Sequence, residues 1–407
     1  MNKNLKLQED SFPIAYILPK RNLLMSTSEI KGFYNLPLEE KLKKVAEFSS
    51  LDENDLELMK KYRSLPDYSE LENNVGPFKI ATNFLVNGID YLVPMDTEEP
   101  SVVAAASRAA KLIRLGGGFT GEYLDSKMIG QIQLIEANDF SLAKKRILDA
   151  KKELLTIANE TNNFIFENGG GAKDIEVEEI ETEKGKNLVV HLSVDTLDAM
   201  GANIVNTMLE AISPRIIELS SGKANLKIIS NFASKRVVRV VCKVPLSSLC
   251  MDILSGEEIA TRIVHATALA KADIYRSSTH NKGIMNGIDA VILATGNDYR
   301  AIEAGVHSYA AKNGKYSSVT DWWIEGMFLN GKIEVPMAVG IVGGATGLKK
   351  SRLALKILGV KSAKELGIIC ASVGMANNLA ALSAIVTDGI QKGHMELHRK
   401  FIEGKNK

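Results

Sequence analysis

The chain has 407 residues, of which 45% are hydrophobic and 24% charged. Its 50 basic and 49 acidic side chains leave a net charge of +1. This is enough for two or three domains with a sizeable core, and the charge balance argues against a general nucleic-acid or acidic-surface binder. Three sparse cysteines, Cys242, Cys250 and Cys370, form no Cys-x-x-Cys pair, so reduced thiols in a cytoplasmic setting are expected and no metal site is. Residues 1–8 are polar and lysine-bearing, unlike a signal peptide, and no run is expected to reach the ~18 apolar residues of a membrane span.

Residues 27–65 read as short amphipathic helices, one opening at Leu36-Pro37-Leu38-Glu39-Glu40 and one at Leu51-Asp52-Glu53-Asn54-Asp55. Asn87-Gly88 between two apolar runs predicts a hairpin over residues 77–95. Pro100 suits the first turn of an alanine-rich helix over 102–115. Gly116-Gly117-Gly118-Phe119-Thr120-Gly121 has the spacing of a dinucleotide fingerprint, but a helix precedes it where the fingerprint needs a strand. It reads better as a helix C-terminus or hinge.

From 125 to 232 the pattern becomes strand 131–135, helix 139–166, strands 175–180 and 187–194, helix 199–219 and strand 226–229. That βαββαβ order predicts a small ferredoxin-like sheet inserted into a larger domain. Residues 233–387 continue the larger domain, with a strand at 237–244 and helices at 255–272, 298–311, 362–374 and 377–391. Gly340-Ile341-Val342-Gly343-Gly344-Ala345-Thr346-Gly347 forms a glycine-rich loop. The fold class is α+β: a large, mostly helical domain (1–124 and 233–387), the small inserted domain (125–232) and a C-terminal segment (388–407).

Four features carry possible chemistry. Thr279-His280-Asn281-Lys282-Gly283-Ile284-Met285-Asn286-Gly287, followed by Thr295-Gly296-Asn297-Asp298, sets a lysine and an aspartate in a polar, glycine-rich context. A buried lysine needs a partner. A lysine–carboxylate pair can stabilise an oxyanion or control proton flow, and the structural alternative is an ion pair at a turn. Glu98 and Glu99 precede a helix, where acids favour its dipole; one could instead be a catalytic acid whose pKa is raised by burial. His394 and His398 lie one helical turn apart without the other ligands of a metal site, while His191 and His265 sit in apolar runs and read as core residues. Asp198 is placed to cap a helix in Asp198-Ala199-Met200-Gly201-Ala202-Asn203. The glycine and alanines there permit close approach of another backbone or a pyrophosphate.

Five segments in order resemble 3-hydroxy-3-methylglutaryl-CoA (HMG-CoA) reductase in its class II bacterial and archaeal form. They are Glu72-Asn73-Asn74-Val75-Gly76, residues 98–107 beginning Glu98-Glu99-Pro100-Ser101, residues 198–206, the 279–298 motif pair, and Gly393-His394-Met395. The resemblance implies that Lys282 holds the thioester oxygen and stabilises its developing charge, and that Glu99 manages protons. Asp298 would tune both, and His394, on a closing C-terminal segment, would protonate the departing CoA thiolate. It assigns Ser101, Arg276 and Asn286 to the substrate pocket. Asp198, Met200, Gly201, Ala202, Asn203 and Asn231 would line a nicotinamide cofactor site that is not a Rossmann fold.

The implied reaction reduces HMG-CoA to mevalonate and CoA with two reduced nicotinamides. The reverse, mevalonate-degrading direction uses the same residues, and a non-catalytic CoA-ester-binding protein on the same scaffold is the competing reading. NAD-preferring relatives carry an aspartate where this chain aligns Asn162. Its absence favours NADPH, with NADH as the alternative. Lys235-Arg236 lies where the membrane-bound class places its catalytic lysine, but the full motif favours Lys282. The chain ends at Lys407, where relatives usually continue, so the closing segment is read as shortened. The resemblance also implies a homodimer, or an assembly of dimers, with the site at the subunit boundary.

Overall fold

The computed structural model describes residues 27–63, 78–251 and 254–387. Residues 72–76, His394, His398 and the segment 388–407 lie outside the described residues.

Helices α1 (Leu38–Ser49) and α2 (Glu53–Arg63) begin where their acidic first turns placed them. Strands β1 (Lys79–Val86) and β2 (Ile89–Met95) form the expected hairpin. Both turn residues adopt positive φ, Asn87 at 50° and Gly88 at 76°, which a tight two-residue hairpin demands. Helix α3 (Pro100–Leu115) ends at Gly116, as expected. Gly117 and Gly118 then turn the chain with φ of 107° and 85° into β3 (Phe119–Tyr123). A Cβ at Gly116 would lie 1.9 Å from the Lys243 carbonyl oxygen, so this turn packs directly on a neighbouring strand.

The next segment holds β4 (Lys127–Ile135), β5 (Gly171–Thr182), β6 (Gly185–Asp195) and β7 (Lys223–Ser230) in one antiparallel sheet of order β5-β6-β4-β7. Helices α4 (Phe140–Asp149), α5 (Lys151–Glu160), α6 (Asn163–Glu167) and α7 (Ala202–Ser220) accompany it. The βαββαβ order is as expected, except that the single helix read over 139–166 is three. Asp139 caps α4 and Asn162 caps α6, each accepting a backbone N–H.

A six-stranded sheet of order β2-β1-β3-β8-β10-β9 runs through the rest of the chain. It uses β8 (Val237–Pro245), β9 (Thr320–Glu325) and β10 (Phe328–Pro336), and all its pairings are antiparallel except β1 with β3. Helices α8 (Gly256–Ala272), α9 (Ile274–Ala294), α10 (Tyr299–Ala310), α11 (Lys349–Leu358) and α12 (Ala363–Val386) complete the fold. A full capping box between Ser255 and Glu258 starts α8.

Two expectations change. The 279–287 stretch is not a glycine-rich turn; it is the middle of the 21-residue α9. Residues 363–386 form one continuous helix rather than two, passing through Gly374 and Asn377. Unbroken, α12 is long and apolar enough to meet the length and composition of a membrane span, contrary to the expectation that no such run exists. It is instead a core helix, buried against α9, α3 and the large sheet. Two of its asparagines bond within the protein: Asn378 Oδ1 accepts from the Trp322 indole at 2.8 Å and Asn377 Nδ2 donates to the Val102 carbonyl at 3.0 Å. Burying each large side chain in this core, such as Phe84 stacked 5.7 Å from Phe119, stabilises by about 1.5–3 kcal/mol.

Candidate active site

Glu99 is the N-cap of α3, and its carboxylate accepts from the Ser101 amide at 3.2 Å. The segment just before it is charged. Lys79 donates to the Thr97 carbonyl, and Lys350 of α11 pairs with Asp96. Burial pushes the Lys79 ammonium below its ordinary pKa, and the charges of Asp96, Glu98 and Glu99 oppose that shift. The Asp96 amide donates to the Ala290 carbonyl at 2.8 Å, which pins this segment to the C-terminal half of α9.

α9 explains how distant positions come to face one way. Arg276, Thr279, Lys282 and Asn286 recur at three- and four-residue spacing and therefore form one stripe. The opposite face, including Ile284, Ile288 and Val291, is buried. Gly287 allows α9 to approach α12 closely, because a Cβ there would lie 2.4 Å from Asn377 Oδ1. Asn377 also holds the Val102 carbonyl, so the first turn of α3, with Ser101, lies beside Gly287 and its neighbour Asn286.

Lys282 differs from the sequence expectation of a buried, paired lysine. It is exposed on the stripe, and within one chain no hydrogen bond or ion pair joins it to Glu99 or Asp298 among the described residues. Arg276 is half-buried, which lowers its pKa. The stripe is flanked by exposed apolar side chains, among them Tyr275 at 84% and Leu293.

Asp298 caps α10. It accepts from the Arg300 and Ala301 amides at 3.0 and 3.3 Å and pairs with the Arg300 guanidinium at 3.1 Å. Arg300 and these amides hold its carboxyl below the usual range and outweigh partial burial. Gly296, at φ 71°, packs its backbone against Ser351 and Ala345, bringing the start of α10 onto the glycine-rich loop.

Asn297 continues the chain of contacts. Its Oδ1 accepts from the Gly340 amide at 2.7 Å, and its Nδ2 donates to the Gly340 carbonyl at 3.1 Å. Gly340 in turn lies against the 198–200 backbone, where a Cβ would be 2.5 Å from Met200 N. The Ile341 amide donates to the Asp198 carbonyl at 2.9 Å. Asp198 does not cap α7 as expected, because its carboxylate accepts from the Ala363 amide at the start of α12. Gly201 occupies the N-cap of α7 instead, at φ 98°, and no side chain caps that end. Asp96, three residues before Glu99, pairs with Lys350; Ser351, next to Lys350, lies against Gly296; and Asn297, next to Asp298, reaches the 198–200 segment through Gly340.

The uncapped first turn of α7 fits an anionic cofactor. It carries no acidic residue, Ala202 and Asn203 leave its amides approachable, and Gly201 has no room for a side chain beside Thr196. Asn162, assigned to the same cofactor, uses its side-chain oxygen to cap α6. Asn231 is exposed just after β7, with its carbonyl against Gly305 of α10.

Comparison with known proteins decides the family. Residues 38–399 match the model of hydroxymethylglutaryl-coenzyme A reductase. The chain belongs to the HMG-CoA reductase family. Over 382 residues it is 49% identical to 3-hydroxy-3-methylglutaryl-coenzyme A reductase of Archaeoglobus fulgidus, covering 92% of this chain and 86% of that one. A Streptococcus pneumoniae HMG-CoA reductase structure superposes with a TM-score of 0.82 at 42% identity, covering 91% of this chain and 90% of that one. A class II structure from the same organism, bound to NADPH in open conformations, gives 0.81 at 42% identity, with coverage of 88% and 99%. As a class II member of this family, the chain is an oxidoreductase.

Three residues around the candidate site have no local sequence signal. Lys79, Asp96 and Lys350 acquire their places only through contacts between distant segments. The two histidines read as core residues differ from expectation. His265 is exposed rather than core, and His191 is half-buried beside Gln131 at 2.8 Å. His307 bridges Glu303 and Tyr316.

Proposed function

We propose that the chain reduces HMG-CoA to mevalonate and CoA in the mevalonate route to isoprenoids, consuming two NADPH, with NADH as a poorer substitute. The observation that supports this reading is the contact chain from Asp96, three residues before Glu99, through Lys350, Gly296–Asn297 and Gly340 to Met200, which runs between the neighbourhoods of the expected carboxylates and the expected cofactor segment.

In this reading residues 125–232 form the cofactor domain and 1–124 with 233–387 the substrate and dimerisation domain. Residues 388–407, bearing His394, form the closing segment. Two NADPH, bound one after the other, would each supply one hydride, the first for the thioester carbon and the second for the aldehyde carbon. Lys282 holds the carbonyl oxygen in both reductions, because each gathers negative charge on that atom. Glu99 manages the proton at that oxygen, and Asp298 tunes Glu99 and Lys282 by its charge. His394 protonates the leaving thiolate. Arg276 and Ser101 hold the substrate's free carboxylate, for which an arginine fork is suited, and Asn286 supports the pocket.

The exposed stripe of α9 and its apolar flanks support a homodimer in which a second copy covers Lys282 and excludes water from it. The protein would act in the cytoplasm. The test is HMG-CoA-dependent oxidation of NADPH by the purified protein. HMG-CoA binding without oxidation of either NADPH or NADH would contradict the proposal.

A further inference from the structure

We infer that Arg236 is a positioning residue for the dinucleotide. It holds the 196–200 segment so that the first turn of α7 and the Asp298 region keep a fixed relation. This rests on the reading of 198–203 as the cofactor site and extends it to a residue that the substrate and cofactor assignments leave out.

Arg236 precedes β8, a central strand of the large sheet, and is 2% exposed. No carboxylate pairs with it among the described residues. Its guanidinium instead bonds the 196–200 segment and residue 339. Nη1 donates to Thr196 Oγ1 at 2.8 Å and to the Ala199 and Met200 carbonyls at 3.1 and 3.3 Å. Nη2 donates to the Leu197 carbonyl at 3.4 Å and to the Val339 carbonyl at 2.7 Å. Its Nε has no partner. The residue's own carbonyl accepts from the Met337 amide at 2.9 Å.

Burying a cation is costly, the charges of Asp195 and Asp198 only partly offset that cost, and so many bonds to main-chain carbonyls imply that the held geometry matters. The bonds tie the end of β6 and the approach to α7 to residue 339, next to Gly340. Gly340 is bonded to Asn297, the neighbour of Asp298. Thr196 completes the clamp, since its hydroxyl also donates to the Ala199 carbonyl at 2.8 Å. The planar fork is what allows one side chain to reach Thr196, Met200 and Val339 together. A lysine ammonium at the same position lacks that reach.

The test compares wild type, Arg236→Lys, Thr196→Val, Thr196→Ser and Gly201→Val. NADPH binding is followed by fluorescence, and HMG-CoA binding by calorimetry in the absence of cofactor. We expect Arg236→Lys to weaken NADPH at least about tenfold and Thr196→Val at least about threefold. Thr196→Ser should restore the wild-type value, and HMG-CoA affinity should stay within about twofold throughout. NADPH affinity unchanged in Arg236→Lys, or both ligands weakened in parallel, would overturn the inference. If Arg236→Lys fails to fold, the Thr196 pair decides by the same criteria. Gly201→Val separates the two levels. NADPH affinity unchanged in that variant removes the cofactor reading itself, whereas its loss there with no change in Arg236→Lys removes only the role of Arg236.

Discussion

Asn297 and Gly340 exchange two hydrogen bonds across 43 residues, a side-chain amide pairing with a main-chain peptide at 2.7 and 3.1 Å. The pairing fixes the residue before Asp298 against the loop that supports Met200.

Removing that amide should cost both stability and rate. In Asn297→Ala the Gly340 amide, in a buried residue, loses its acceptor, a penalty of about 1–3 kcal/mol. We expect a lower melting temperature and a kcat reduced about tenfold or more, because Asp298 and Met200 lose their fixed relation. Steady-state kinetics and thermal melts of the same preparation check this. An unchanged kcat would show that the pairing serves folding alone.

Asn162 offers a clean test of cofactor preference. Its structural duty is to cap α6 through a side-chain oxygen, and aspartate performs that duty equally well. Asn162→Asp should therefore leave the melting temperature nearly unchanged while lowering kcat/KM for NADPH relative to NADH, since a carboxylate repels a 2′-phosphate. The ratio of the two kcat/KM values is the measurement. An unaltered ratio would remove Asn162 from the cofactor site.

Much of this architecture is legible in the chain, and the failures have physical causes. The Asn87-Gly88 hairpin and the βαββαβ module announce themselves through turn residues and periodicity, which are local signals. α9 does not, because glycines at 283 and 287 each lower helix propensity by about 1 kcal/mol. Close packing of Gly287 on α12 is part of what overrides that cost. In α12 Gly374 and Asn377 interrupt the helical pattern for the same reason, yet Gly374 makes room for Ile284 and Ile288, and the Asn377 Nδ2 donates to the Val102 carbonyl. The β9–β10 hairpin was missed because its turn at Gly326-Met327 lacks an asparagine or aspartate signal. The residues assigned to the site by family motif lie where local sequence carries information. Asn297 sits in a local motif, but its partner lies 43 residues away, and Arg236 acts on Thr196 40 residues away, contacts no local pattern predicts.

His280 makes stability depend on acid. It is buried on α9, with the Asn378 amide donating to its Nε2 at 3.1 Å and the Thr320 hydroxyl 2.6 Å from the same atom. Burial, and then the charge of Arg276, push its pKa down to about 3. The unfolded chain takes up the proton near pH 6.5, before the folded one does. The stabilisation is therefore complete above about pH 6.5 and is lost progressively as the pH falls towards 3. Chemical denaturation between pH 7 and 4 should show that decline, and His280→Gln should flatten it. Parallel pH profiles for the two proteins would contradict the assignment.

Asp289 has the opposite sign. Burial, and then the neighbouring Glu303 carboxyl, push its pKa well up, so it is the protonated partner of Glu303 between α9 and α10. Glu303 is held low by His307, whose Nε2 lies 2.5 Å away. A raised carboxyl contributes stability below the ordinary carboxylate pKa, and this is lost as pH rises through the folded value. Asp289→Asn keeps a donor to Glu303 and cannot ionise. We expect it to melt higher than wild type at pH 8–9, and the gap to narrow markedly at about pH 5. The same melting difference at both pH values would refute the shared proton.

The central claim is that the Lys282 ammonium holds the substrate's carbonyl oxygen while negative charge gathers on it. The most direct measurement is HMG-CoA-dependent oxidation of NADPH by wild type and Lys282→Ala, with binding of both ligands checked on the variant. We expect kcat to fall by about 10²–10³ or more with NADPH still bound. A variant that folds, binds both ligands and keeps more than about a tenth of the wild-type kcat would contradict the claim.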